Sequence, residues 1–127
     1  MGKYGRTAVL ATSLITERKL HPTEAWRTAA AQIFPDSPSS QKKGYPKTAF
    51  LGLCEDGLLL GVPSGSYTKS RDNKRYAIEA IKCLRQNPSL VDNEKSLWKL
   101  IIGSETKVEN SQIDVVTSLW REGLITK

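Results

Sequence analysis

The sequence predicts a mostly α-helical protein, with two pseudo-repeated three-helix units sharing one core in a single domain over residues 1–127. Two observations lead there: the chain repeats itself at a nearly fixed offset, and its apolar residues recur at helical spacing between proline and glycine stops. A shift of 72 residues lays Lys3-Tyr4 on Arg75-Tyr76, Ala8-Val9 on Ala80-Ile81 and Ala25-Trp26-Arg27 on Leu97-Trp98-Lys99 without a gap. The offset becomes 71 for Ser40-Gln41 on Ser111-Gln112, and 66 for Leu53 to Leu58 on Leu119 to Leu124. The first copy therefore carries five extra residues, Lys42-Lys43-Gly44-Tyr45-Pro46. The units fall at residues 3–60 and 75–127, with a connector over 61–74.

In the first unit, Tyr4, Ala8, Ala11, Leu14 and Ile15 form a helical stripe that ends before Glu17-Arg18-Lys19. A second helix starts at His21-Pro22-Thr23, where proline suits a first turn and Glu24 complements the dipole. It presents Ala25, Trp26, Ala29, Ala30 and Ile33, and Phe34 to Ser40 follows as a loop. The third helix starts at Pro46, buries Ala49, Phe50, Leu53 and Cys54, and stops at Gly57 in a left-handed conformation, with Leu58 folding back on the last turn. Glu55 and Asp56 read as a solvated helix end.

The connector joins two short strand-compatible pieces by turn residues, so its alternative is a small β-hairpin. In the second unit, helices are expected from Tyr76 to Arg85 and from about Asn93 to Ile102. A last helix opens with the capping signature Ser111-x-x-Asp114 and closes at Gly123. Trp26, Trp98 and Trp120 are expected in the core.

A hydrophobic fraction of 39% with 25% charged residues is that of a folded soluble chain, and no apolar run approaches the roughly 18 residues that span a bilayer. No secretory leader is legible, and Cys54 and Cys83 sit in apolar stripes as reduced thiols, which together favour the cytoplasm. The single histidine, His21, belongs to a helix start, and neither paired cysteines nor a phosphate-loop lysine is present. No cofactor or metal site is expected.

The net charge of +6 is unevenly spread. Between Ser39 and Tyr76 lie Lys42, Lys43, Lys47, Lys69, Arg71, Lys74 and Arg75 against three carboxylates, a balance of +4 in under a third of the chain. Gly44, Tyr45 and Tyr67 are interleaved with them, residues that let backbone approach phosphate and let bases stack. The pattern points to nucleic-acid binding by Lys42, Lys43, Gly44, Tyr45, Lys47, Tyr67, Lys69, Arg71, Lys74 and Arg75. About eleven residues separate the second and third helices, too many for a helix-turn-helix, so loops and helix ends are the expected contacts. The alternative is a protein-interaction module, an inhibitor or regulatory subunit, whose insertion grips an acidic protein. An enzyme would need Lys43 or Tyr67 as its catalytic group beside Ser40 and Gln41.

The run Ser40-Gln41-Lys42-Lys43-Gly44-x-Pro46-Lys47-x-Ala49-Phe50-Leu51-Gly52-Leu53-Cys54-Glu55-x-Gly57-Leu58, followed by Gly61-x-Pro63-x-Gly65-x-Tyr67-Thr68, resembles the signature of an uncharacterised family of small bacterial proteins. The resemblance runs through nearly the whole chain and carries no assigned activity. It implies a whole protein housed in a bacterial or phage cytoplasm.

Overall fold

The computed structural model describes residues 1–127. Helices α1 (Lys3–Arg18), α2 (Pro22–Ile33), α3 (Pro38–Gln41) and α4 (Gly44–Glu55) form the first half, and α5 (Arg71–Gln86), α6 (Glu94–Ile102) and α7 (Gln112–Arg121) the second. A 3₁₀ turn, Pro88–Asp92, links α5 to α6. With 66% of the chain helical and no sheet, the fold class is the one the periodicity predicts. No helix is long and apolar enough to cross a membrane.

The repeat is visible in matching helix ends. His21 caps α2, its Nδ1 accepting from Thr23 N–H, and Asn93 caps the corresponding α6 through Ser96 N–H. After α4, Gly57 takes φ +68°, and after α7, Gly123 takes φ +70°. The following leucines complete the same motif, Leu58 N–H reaching Leu53 O at 3.1 Å and Leu124 N–H reaching Leu119 O at 3.0 Å. The chain then pairs with its own image. Leu60 N–H donates to Leu124 O and Thr126 N–H to Leu58 O, both at 2.9 Å, around a bridge between Leu59 and Ile125. An offset of 66 residues turns each of these two bonds into the other, which is the signature of a local pseudo-twofold axis.

The helices pack across that axis. Besides the α1–α2 and α5–α6 pairs, α4 lies on α5 and α7 lies on α1, so each half places its third helix against the other half's first. One cluster of 27 buried apolar residues draws on every helix except the single turn α3. Trp26 and Trp98 are both buried, Trp26 with its ring 5.2 Å from Phe50 and Trp98 in an edge contact 5.2 Å from Tyr76.

Both exchanged crossings are close. A Cβ on Gly5 in α1 would meet the Ser118 hydroxyl and lie 2.8 Å from the Asp114 carbonyl oxygen on α7. On Gly52 in α4, a position that corresponds to Ser118 at the 66-residue offset, it would lie 2.8 Å from Lys74 Cα on α5. Glycine-to-alanine exchange within a helix ordinarily gains about 1 kcal/mol. Here the added methyl meets backbone that cannot yield, and overpacking costs about 1–3 kcal/mol. Gly5→Ala and Gly52→Ala should therefore each lower the free energy of unfolding in urea, and an increase in either variant would show that the crossing is looser than described.

Several sequence expectations need correction. Residues 38–41, expected as loop, form the turn α3, capped by the Ser37 hydroxyl accepting from Ser40 N–H. Helix α4 begins at Gly44, so Pro46 stands third in the helix; the N–H groups of a first turn have no helical partner, and proline loses nothing there. Helix α5 begins at Arg71, inside the expected connector, because Asn73 is buried and anchors its first turn. No hairpin forms in the connector, since Leu58 to Leu60 find their partners at 124–126 instead. Ser111 takes φ +71° and makes no capping bond. Asp114 turns to α1, accepting from Gly2 N–H at 2.8 Å and Gly5 N–H at 2.7 Å. Trp120 is half-buried and packs on the edge of the core.

Candidate functional site

The two basic stretches that are separate in sequence meet in space. Because α4 crosses α5 closely, the Asn73 side chain on α5 reaches the N-terminal part of α4, its Nδ2 donating to Thr48 Oγ1 at 2.9 Å and to Ser70 Oγ at 3.3 Å. Its Oδ1 accepts from Gln112 Nε2 at 3.1 Å, and Gln112 Oε1 accepts from Asn110 N–H at 2.6 Å. Asn73 and Gln112 are 8% and 3% exposed, so this amide pair is a buried tie joining the starts of α4, α5 and α7. Buried amides with every polar atom paired hold one geometry firmly.

Above the tie opens a polar cleft of about 400 Å³ lined by Tyr45, Ser70, Asp72, Asn73, Asn110 and Gln112. The residues at the N-caps of the three helices, Lys43, Ser70 and Ser111, make no side-chain capping bond. The positive ends of the α4 and α5 dipoles therefore lie there without side-chain caps, an arrangement that favours anions, whereas the first turn of α7 is served by Glu109. One wall is a strap over residues 103–111. Trp98 Nε1–H donates to Lys107 O at 3.2 Å, and the Glu105 carboxylate accepts from Tyr76 OH at 3.1 Å, which leaves Val108 86% exposed beside the cleft.

The ten residues expected at the site divide into three groups. Lys42, Lys43, Lys47, Lys69 and Arg71 have no carboxylate within ion-pair distance. They flank Tyr45 and Ser70 of the lining, with Lys43 Nζ held 5.2 Å over the Tyr4 ring and Gly44 as the exposed first residue of α4. Tyr45 is 53% exposed at the cleft. The others are committed elsewhere. Lys74 Nζ lies 2.7 Å from Glu55 and 2.8 Å from Asp56, in a side chain only 17% exposed. Arg75 pairs with Glu105 at 3.2 Å. Tyr67 sits at the far end of α4 from Tyr45, its ring edge-on to His21 and its hydroxyl donating to Pro63 O.

Glu55 is the centre of that far end and no solvated carboxylate. Its Oε2 takes Lys74, and its Oε1 accepts from Tyr67 N–H at 2.6 Å and Thr68 N–H at 2.9 Å. The Lys74 ammonium and these amides hold the carboxyl down to about 2. Asp56 and Glu55 together raise the Lys74 ammonium. Lys74 thus fastens the connector to the fold. Of the groups the enzyme reading places together, Gln41 and Ser40 are engaged in local structure: Gln41 Nε2 donates to Phe34 O, the Ser40 hydroxyl pairs with Ser37, and the Ser40 carbonyl accepts from Tyr4 OH.

A larger cleft of about 560 Å³ lies where α1 and α7 begin, the pseudo-symmetric counterpart of the α5 and α4 starts. Its lining is of mixed charge, with Glu94, Glu109 and Asp114 beside Lys95 and Lys99. Asp114 and Glu109 face Glu94, and burial with these two neighbours raises the Glu94 carboxyl. Asp114 already caps α1, and Glu109 accepts from Ile113 N–H. Sequence reasoning passed over Asn110, Gln112 and Lys107 in the first cleft; the only advance signal was Gln112, an amide placed directly before the apolar face of α7.

The chain belongs to a family of unknown function, DUF6979, which matches it over residues 1–126. No curated protein and no solved structure matches it.

Proposed function

We propose that the chain is a non-catalytic, cytoplasmic binding protein whose ligand is nucleic acid, held by its phosphates around the cleft of α4, α5 and α7. One observation carries the reading: the five cations of 42–47 and 69–71 have no carboxylate partners and stand beside Tyr45 and Ser70 in sequence, two residues that line one polar cleft where α4, α5 and α7 start. Phosphate contacts of this kind give affinity without sequence preference and release counterions. Two free thiols, Cys54 buried and Cys83 partly so, suit a reducing compartment.

The test is a salt titration of binding to labelled DNA and RNA oligonucleotides, read by fluorescence anisotropy. Replacing Lys42 and Lys43 together by alanine should leave the melting temperature nearly unchanged and reduce the salt slope by roughly two, about one for each phosphate deprived of its lysine. Lys74→Ala should do the reverse, lowering the melting temperature with little change in slope. Wild-type protein that shows no salt-sensitive binding to any of these oligonucleotides overturns the proposal.

The exposure of Val108 and Tyr45 at the same cleft favours a second reading, an acidic protein partner with an apolar centre. Such an interface holds its affinity as salt rises, because its core is desolvated.

A further inference from the structure

Resting on the nucleic-acid reading, we infer that the ligand is single-stranded and that the cleft takes one unpaired base, stacked on Tyr45. Three features carry this. The cleft is concave, and its volume of about 400 Å³ falls within the small-ligand range of about 300–1,000 Å³, whereas a duplex presents its bases already stacked and paired.

Tyr45 stands 53% exposed at the cleft without a ring partner, whereas the other unpaired aromatic, Trp120, is packed on the edge of the core. An exposed ring beside a polar cleft is the platform on which a single-stranded base stacks.

The hydrogen-bonding capacity left open in the cleft is also that of a base edge. Asn73 and Gln112 satisfy each other and form a fixed floor. Around them the Asp72 carboxylate is exposed and carries no ion pair, the Ser70 hydroxyl accepts from Asn73 with its own proton still to give, and Asn110 enters the hydrogen bonding only through its backbone N–H. A carboxylate, a hydroxyl and a primary amide together offer acceptors and donors to the edge that a base uses in pairing. In a duplex that edge is occupied by the opposite strand, and in a single strand it is free. The cations on either side of Tyr45 and Ser70 in sequence then meet the phosphates that flank the inserted base.

The experiment compares single-stranded DNA, single-stranded RNA and the duplex of each, of one sequence and length, by anisotropy at fixed salt with wild-type protein, Tyr45→Ala and Tyr45→Phe. Single strands should bind at least about tenfold more tightly than duplexes, and a difference between the DNA and RNA strands identifies which nucleic acid the cleft suits. Tyr45→Ala should weaken single-strand binding by about 5- to 100-fold, the worth of one stacked base, while Tyr45→Phe keeps it and duplex binding is unmoved. Equal, salt-sensitive affinity for duplex and single strand, with Tyr45→Ala silent, overturns the inference and leaves the phosphate reading standing. Absence of binding to all four ligands overturns both.

Discussion

Trp26→Ala should cost about 3–5 kcal/mol of folding free energy. Trp26 is 1% exposed and packed on Phe50, and its neighbours on α2, Ala25, Ala29 and Ala30, are too small to swing into the space it leaves. Its pseudo-symmetric mate Trp98 differs in one respect that a second pair of variants exposes. Trp98 Nε1–H has the Lys107 carbonyl as partner, whereas Trp26 Nε1–H is buried with none. A phenylalanine at 26 loses packing volume but also removes an unpaired buried donor, whose desolvation costs about 1–3 kcal/mol. At 98 the same exchange loses volume and also frees the strap over 103–111. Trp98→Phe should therefore be the more damaging of the two in urea unfolding. Equal losses would mean that the orphaned indole carries no penalty.

A second large effect belongs to Glu55→Gln, which should lower stability at neutral pH by about 2–3 kcal/mol, less than the full shift because the amide oxygen still accepts from Tyr67 and Thr68 N–H. The depressed carboxyl, from the ordinary 4.5 to about 2 in a side chain 8% exposed, sets that scale at about 1.4 kcal/mol per unit. The sign follows from the direction. A carboxyl whose folded value is depressed contributes fully above about 4.5 and loses that contribution as pH falls toward about 2. Melting temperature measured from pH 7 to pH 2 should thus fall more steeply for the wild type than for Glu55→Gln, with the two curves meeting at the acid end. A variant that melts with the wild type at pH 7 would show that the carboxylate, for all its partners, holds nothing in place.

The helices and their repeat were legible because both are local or self-referential properties. Stripes at helical spacing marked Ala8, Ala11 and Ile15, and the shared offset placed Trp26 and Trp98 in matching buried positions. What escaped were partners distant in sequence. Glu55 beside Asp56 looked like a solvated end because nothing nearby announces Lys74, 19 residues on. Lys74 and Arg75 were counted with the free cations for the same reason, although one serves Glu55 and the other Glu105. The spacing Ser111-x-x-Asp114 matched a capping signature, but spacing does not say which helix brings its N–H groups nearest, and Asp114 serves α1. At the candidate site the charge and Tyr45 could be read directly. The floor could not, since Asn73 and Gln112 are 39 residues apart and each alone is an ordinary polar residue.

The exchange of third helices between the halves sets the order of events when the chain folds. Helix α1 finds its cover in α7, and residues 58–60 find theirs at 124–126, so the earliest part of the chain waits for the latest. Contacts of such separation must close a long loop before they return any stabilisation, which slows folding relative to a bundle of neighbouring helices. Until then α1 and α2 can pair but keep an apolar flank open to water. On a ribosome, that flank stays uncovered until α7 has left the exit tunnel.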